Sequence, residues 1–172
     1  MPVTPFHLGP AYFVKVAAPR RFSFRVFLLT QVIIDLESLY FIVKNEYPLH
    51  RILHTFVGAA VVAILCVYPG RTLLSGMSKL WNHVLGGIKA LRLDENISYQ
   101  SAIVGSGFGA FSHIMLDGLM HRDMKPFFPF SQVNYLLGLI SYTQLHMFCV
   151  ISGLLGFVVY ALKRVKIKEG RS

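Results

Sequence analysis

Charge is scarce in this 172-residue chain: Asp, Glu, Lys and Arg together make up 15% of it, and only eight residues are acidic. That lies outside the composition of an ordinary soluble domain. Cysteine is nearly absent too. Cys66 and Cys149 both sit deep in apolar runs, which excludes the disulfide framework of a small secreted protein and reads as two small core residues. There is no internal repeat and no low-complexity stretch. No basic residue precedes the first apolar stretch, whose charges (Lys15, Arg20 and Arg21) follow it, so no cleavable signal peptide is expected. What fills the chain is hydrophobic: 54% of its residues are apolar, and mean hydropathy is +0.54. The expectation is one all-α integral-membrane domain over residues 1–172, a polytopic helical bundle with four to five membrane segments.

The pattern along the chain divides it further. Thr4-Pro5 reads as an N-cap and first helical residue opening a short helix over 5–18, stopped by Pro19-Arg20-Arg21. At about 1.5 Å per residue it reaches about 20 Å, marginal for a span. Residues 22–43 form the second segment and carry Arg25, Gln31, Asp35 and Glu37. After Tyr47-Pro48, residues 49–68 form the third, ended by Pro69-Gly70. Residues 71–93 alternate apolar and basic positions around the lone Trp81 and suit an amphipathic helix lying in the interface. Spans over 97–120 and 133–162 follow, then a basic tail over 163–172.

The net charge of +9 is spread over loops and tail, a pattern of membrane orientation and anionic lipid contact rather than of nucleic-acid binding. If the first helix crosses, one side holds Lys15, Arg20, Arg21, Arg25, Arg71, Lys79, Lys89, Arg92, Lys163, Arg164, Lys166, Lys168 and Arg171. The other side holds only Lys44, Arg51, Arg122 and Lys125. The positive-inside rule then places the C-terminus and the 71–93 helix in the cytoplasm.

Against this apolar background the ionisable residues stand out, because each is costly at membrane depth. His113, Asp117 and His121 follow at steps of four on one helical side. Asp35 and Glu37 lie late in the second segment, and His50 and His54 share a face at the start of the third. The topology brings all of them, with Asp123 and also His7 if the first helix starts outside, to one depth on the outer side. Imidazole and carboxylate groups spaced in this way suit a zinc-type site, and their number suffices for two metal ions a few Å apart. On an ideal helix Glu37 points about 200° away from Asp35, so one of the two is expected to brace Arg51 or His50 from outside the ligand set. Arg51 reads either as a brace for a substrate anion or as a snorkelling interface residue. His121 reads either as a ligand or as a surface histidine. His83 and His146 are not expected to ligate, and His146 is expected to hydrogen-bond between helices. Gly105-Ser106-Gly107-Phe108-Gly109 follows no strand and is read as a close-packing surface rather than a nucleotide loop.

The residues Thr4-Pro5-Phe6-His7, Asp35-Leu36-Glu37, His50-Arg51-Ile52-Leu53-His54 and Ser112-His113 through Asp117 resemble a membrane-bound, metal-dependent hydrolase family of bacterial inner-membrane proteins, the YdjM-like group. The likeness covers most of residues 1–130. More distantly the chain is similar to the all-helical zinc phospholipase C and nuclease fold, whose ligands also come from His-xxx-Asp helices. The resemblance implies His7, Asp35, His50, His54, His113 and Asp117 as metal ligands, with Glu37, His121 and Asp123 as ligand, outer brace or base. It also implies a bacterial inner-membrane location. The chain has Asp-Leu-Glu where relatives often carry Pro-Asp-x-Asp, which leaves the role of Glu37 open.

The reading these observations favour is a hydrolase holding one or more divalent ions, zinc foremost. Its substrate would be an ester or phosphoester of a lipid-like or other amphiphilic molecule, with Glu37, Asp35 or Asp123 taking the proton and Arg51 steadying the anion. Two rivals stand beside it. A metal-ion or proton transporter expects polar residues along the full depth of several spans. A membrane scaffold would use the basic helix and tail, and leaves the histidines unexplained.

Overall fold

Three hydroxyl side chains open the three central helices. Ser23 Oγ accepts a hydrogen bond from the Val26 amide, Thr55 Oγ1 from Gly58 at 2.9 Å and Ser98 Oγ from Ser101 at 3.2 Å. Each satisfies a backbone donor that the first turn of a helix leaves without a partner. A computed structural model describes residues 7–85, 88 and 91–169, with side chains as far as residue 163. Its helices are α1 (Leu8–Ala17), α2 (Phe24–Lys44), α3 (Phe56–Leu85), α4 (Tyr99–Met120) and α5 (Tyr142–Glu169). The described residues contain no strand. The helices α2, α3, α4 and the Tyr142–Lys163 part of α5 are each long and apolar enough to cross a membrane, so the chain is an all-α, multi-pass membrane protein.

Successive helices alternate in direction. The start of α1, the end of α2, the start of α3 and the end of α4 meet at one end of the bundle. The start of α2, the Cys66–Gly70 part of α3 and the start of α4 lie at the other. α2, α3 and α4 form the centre, around Val26, Ile34, Ala59, Val62, Ala102, Ala110 and Ile114. α1 and α5 pair as a second layer. Lipid is as apolar as a leucine, so close packing rather than the hydrophobic effect must hold such helices together. Small residues make that possible here. A Cβ on Gly105 would lie 2.4 Å from the Ser23 carbonyl oxygen, and one on Gly9 would lie 2.0 Å from that of Cys149. The Gly105–Gly109 stretch is thus a packing surface against α2, as its sequence suggests.

Several expected boundaries shift. The expected start of the first helix at Thr4-Pro5 lies outside the described residues, and α1 ends at Ala17, one residue before the expected 18. The third helix starts at Phe56 instead of 49, because two carboxylates, described below, hold the amides of residues 49–53. It does not stop at Pro69-Gly70. A π-turn over Cys66–Gly70 carries it straight into the amphipathic segment. The wider turn accommodates the proline, which has no N–H to donate. The 71–93 helix is therefore the continuation of a span, helical to Leu85, with residues 86, 87, 89 and 90 outside the description. The last span begins at Tyr142 rather than 133 and runs on to Glu169, into the expected tail. Ser141 and Gln144 cap it reciprocally: the Ser141 amide donates to Gln144 Oε1 and the Gln144 amide to Ser141 Oγ.

Candidate metal centre

The i, i+4 rule works on two facing helices at once. On α2, Gln31, Asp35 and Ser38 lie along one buried face; on α4, Gly109, His113 and Asp117 lie along the face opposite. Between α2 and α3 the chain folds back over the end of the bundle. This loop is held in place by two carboxylates with the same pattern of bonds. Glu37 accepts from the amides of Arg51 (2.9 Å) and Leu53 (3.0 Å) and from His54 Nδ1 (3.0 Å). Asp123 accepts from the amides of Leu49 (3.0 Å) and His50 (3.2 Å) and from His50 Nδ1 (2.9 Å). His50 and His54 therefore enter the site from an irregular loop and not, as their spacing suggests, from one helical face.

Asp35, His54, His113 and Asp117 each present one ligand atom, all within 4.8 Å of one another and all buried. His113 Nε2 lies 3.1 Å from Asp117 Oδ2 and 3.5 Å from Asp35 Oδ1. His7 closes the group, its Nε2 3.2 Å from Asp117 Oδ1. These are ion-pair distances, yet His7 Nε2, His113 Nε2 and Asp117 Oδ1 make no hydrogen bond although all three are buried. Buried polar atoms are nearly always paired, and leaving one unpaired costs about 1–3 kcal/mol. Here the atoms are near one another but wrongly angled to bond, and a cation held among them would satisfy all three.

The imidazoles are held in orientations that suit such an ion. Gln31 Nε2 donates to the Gly109 carbonyl at 3.2 Å, so Gln31 Oε1 is left as the acceptor facing His113 Nδ1. That fixes the proton on Nδ1 and leaves Nε2 with its lone pair toward Asp35 and Asp117. Glu37 does the same for His54, whose Nε2 lies 3.3 Å from Ser38 Oγ. Asp123 does so for His50. An amide or carboxylate on the far ring nitrogen is the usual brace of a metal-ligating histidine.

A second group, His50, His121 and Asp123, meets the same 4.8 Å criterion and is less buried. Burial above all, then the neighbouring His54 and His121, lowers the pKa of His50 to about 4. Burial also lowers that of His121. Burial pushes Asp123 up, but the hydrogen bonds and charge of His50 outweigh it and hold its pKa below the ordinary value. At neutral pH the group thus offers two neutral imidazoles and one carboxylate, the protonation that ligation needs. The two groups adjoin: the rings of His50 and His54 are 4.6 Å apart, and those of His50 and His121 4.3 Å.

The structure therefore brings together His7, Asp35, Glu37, His50, His54, His113, Asp117, His121 and Asp123. Arg51 differs. Its amide serves Glu37, but its guanidinium lies 3.5 Å from the Phe41 ring centre and bonds Glu46 at 2.9 Å. His146 bonds the Tyr142 carbonyl of its own helix. Gln31 and Ser38 are the functional candidates that spacing alone did not single out. The signal was present, since Gln31 stands four residues before Asp35 in an apolar span. A cavity of about 260 Å³ borders the outer group, with His50, Arg51, Asp123, Lys125 and Phe128 in its wall.

The class that fold and site define is a multi-pass membrane protein with a buried His/Asp cluster able to hold a metal ion. Set against protein-family models, curated proteins and solved structures, the chain matches none of them.

Proposed function

We propose that this chain is a membrane-embedded, metal-dependent hydrolase of the bacterial inner membrane. On this reading it acts on an ester or phosphoester of an amphiphilic molecule admitted at the histidine end, with the basic end toward the cytoplasm. The observation that carries the reading is the convergence of buried, unbonded ligand atoms on histidines whose far nitrogens are braced. Asp35, His54, His113 and Asp117, with His7 beside them, would hold one ion. His50, His121 and Asp123 would hold a second. The nitrogen and oxygen donor set, without thiolate, suits zinc. Such ions supply Lewis acidity toward water and toward an ester or phosphoryl oxygen.

The protein's own contribution is orientation. Glu37 and Asp123 each already accept three hydrogen bonds, so both act first as positioning residues. Among the described residues no hydrogen bond ties Asp35 to the loop, so the oxygen that it would not give to the ion is the one left to take a proton. Transport is the weaker reading. Beyond the histidines the buried hydroxyls of Thr30, Ser101 and Ser106 bond nearby carbonyls of their own segments among Val26, Phe27, Ala102, Ala110 and Ile114, and a conduction path needs free polar groups through its depth.

The test is hydrolysis of generic ester and phosphoester substrates by purified protein, before and after metal removal with a chelator. Turnover that disappears on stripping and returns with zinc supports the proposal. Metal-loaded protein inert toward every such substrate contradicts it.

A further inference from the structure

At the end of the bundle away from the histidines, the α1–α2 turn and the start of α4 enclose a separate cavity of about 420 Å³. Lys15, Arg20 and Arg25 line it against a single acidic residue, Asp94. Lys15 Nζ donates to the carbonyls of Pro19 (2.7 Å) and Phe22 (2.9 Å). Arg25 donates to Ser78 Oγ and the Asp94 carbonyl. Among the described residues no ion pair joins Lys15, Arg20 or Arg25 to a carboxylate, and Asp94 is the one acidic charge nearby to offset three cations. Burial first, then the nearby Arg25 charge, lowers the pKa of Lys15, and the Asp94 charge opposes them in part. The first turns of α2 and α4 open at the same place, adding the positive ends of two long helices.

Depth decides which anion fits. α2 and α4 are both long enough to span, so their first residues sit at a membrane surface. The remaining wall is mixed, with Phe24 and Ile97 beside the polar Ser23, Asn96, Ser98 and Ser101. A cationic, polar pocket edged by Phe24 and level with the headgroups matches the phosphate end of a phospholipid better than a free ion. We infer that this cavity binds the headgroup of an anionic phospholipid, with Lys15, Arg20 and Arg25 against its phosphate. The site is independent of the metal centre and of any hydrolysis.

The experiment is a titration of the detergent-solubilised full chain, read by native mass spectrometry, with phosphatidylglycerol, phosphatidylcholine and inorganic phosphate as separate probes. Arg20→Gln and Lys15→Met remove lining charges, while Arg21→Gln removes the same charge from the adjacent residue, which does not line the cavity. A basic residue near a phosphate at a membrane surface is worth about fivefold in affinity. The expected result is tight retention of phosphatidylglycerol over phosphatidylcholine, weakened about fivefold by Arg20→Gln and by Lys15→Met and left within about twofold by Arg21→Gln. Arg20→Gln alone decides the matter if Lys15→Met does not fold. Equal retention of the two lipids overturns the inference. So does an equal loss in Arg20→Gln and Arg21→Gln, which would mean diffuse surface charge, or displacement of the lipid by inorganic phosphate at equal concentration.

Discussion

Replacing Gln31 by Leu separates a metal centre from a merely packed polar core. The substitution is close in volume and leaves every ligand atom in place. It removes the acceptor facing His113 Nδ1 and the donor to the Gly109 carbonyl. His113 is 0% exposed, so water cannot replace the lost partner, and the stranded N–H costs roughly 1–3 kcal/mol of stability. The ring is also released to turn or to change tautomer, which takes the Nε2 lone pair away from Asp35 and Asp117. Loss of such a brace lowers metal affinity about 10- to 100-fold. The assay is zinc titration of solubilised protein against a chromophoric chelator, with thermal unfolding of the metal-free protein measured in parallel. Gln31→Glu, which keeps an acceptor at the same place, should retain most of the affinity. A Gln31→Leu protein that folds and binds zinc within about twofold of the parent would refute the argument that this amide orients a ligand.

Three other outcomes follow from the same geometry. Asp123→Asn should reduce the bound metal from two ions to one, because Asp123 belongs to the outer group and braces His50 while the inner group does not depend on it; metal-to-protein ratios by elemental analysis check this. Gly105→Val should destabilise the fold by at least about 1–3 kcal/mol, since its Cβ would sit 2.4 Å from the Ser23 carbonyl oxygen; an unfolding temperature equal to the parent's would contradict the packing. Cys66 and Cys149, 0% and 3% exposed, should react with a maleimide only after denaturation, as followed by mass shift.

Much of this was legible in the residue pattern, and the failures have physical causes. Steps of four in an apolar helix singled out His113 and Asp117, because one buried face is all that a helix can offer, and an ionisable group late in an apolar span singled out Asp35. The opposed directions of Asp35 and Glu37 also held: the first faces His113 and the second faces outward to brace the loop. The missed features depend on partners distant in sequence. Nothing within residues 49–55 says that the segment is unwound; Glu37 and Asp123 decide that by taking its amides. Pro69 looked like a stop, and a π-turn absorbed it. Gln31 and Ser38 went unranked because their chemistry becomes visible only when His113 and His54 lie opposite them. Ser141-x-x-Gln144 carried a readable capping box, which marks the true start of α5.

The most direct measurement is elemental analysis of purified protein beside His113→Ala and Asp117→Ala variants that retain the parental helix content. The account predicts near-stoichiometric divalent metal in the parent, zinc foremost, and its loss from both variants. Metal-free parent protein that does not take up zinc, or variants that hold as much metal as the parent, would contradict it.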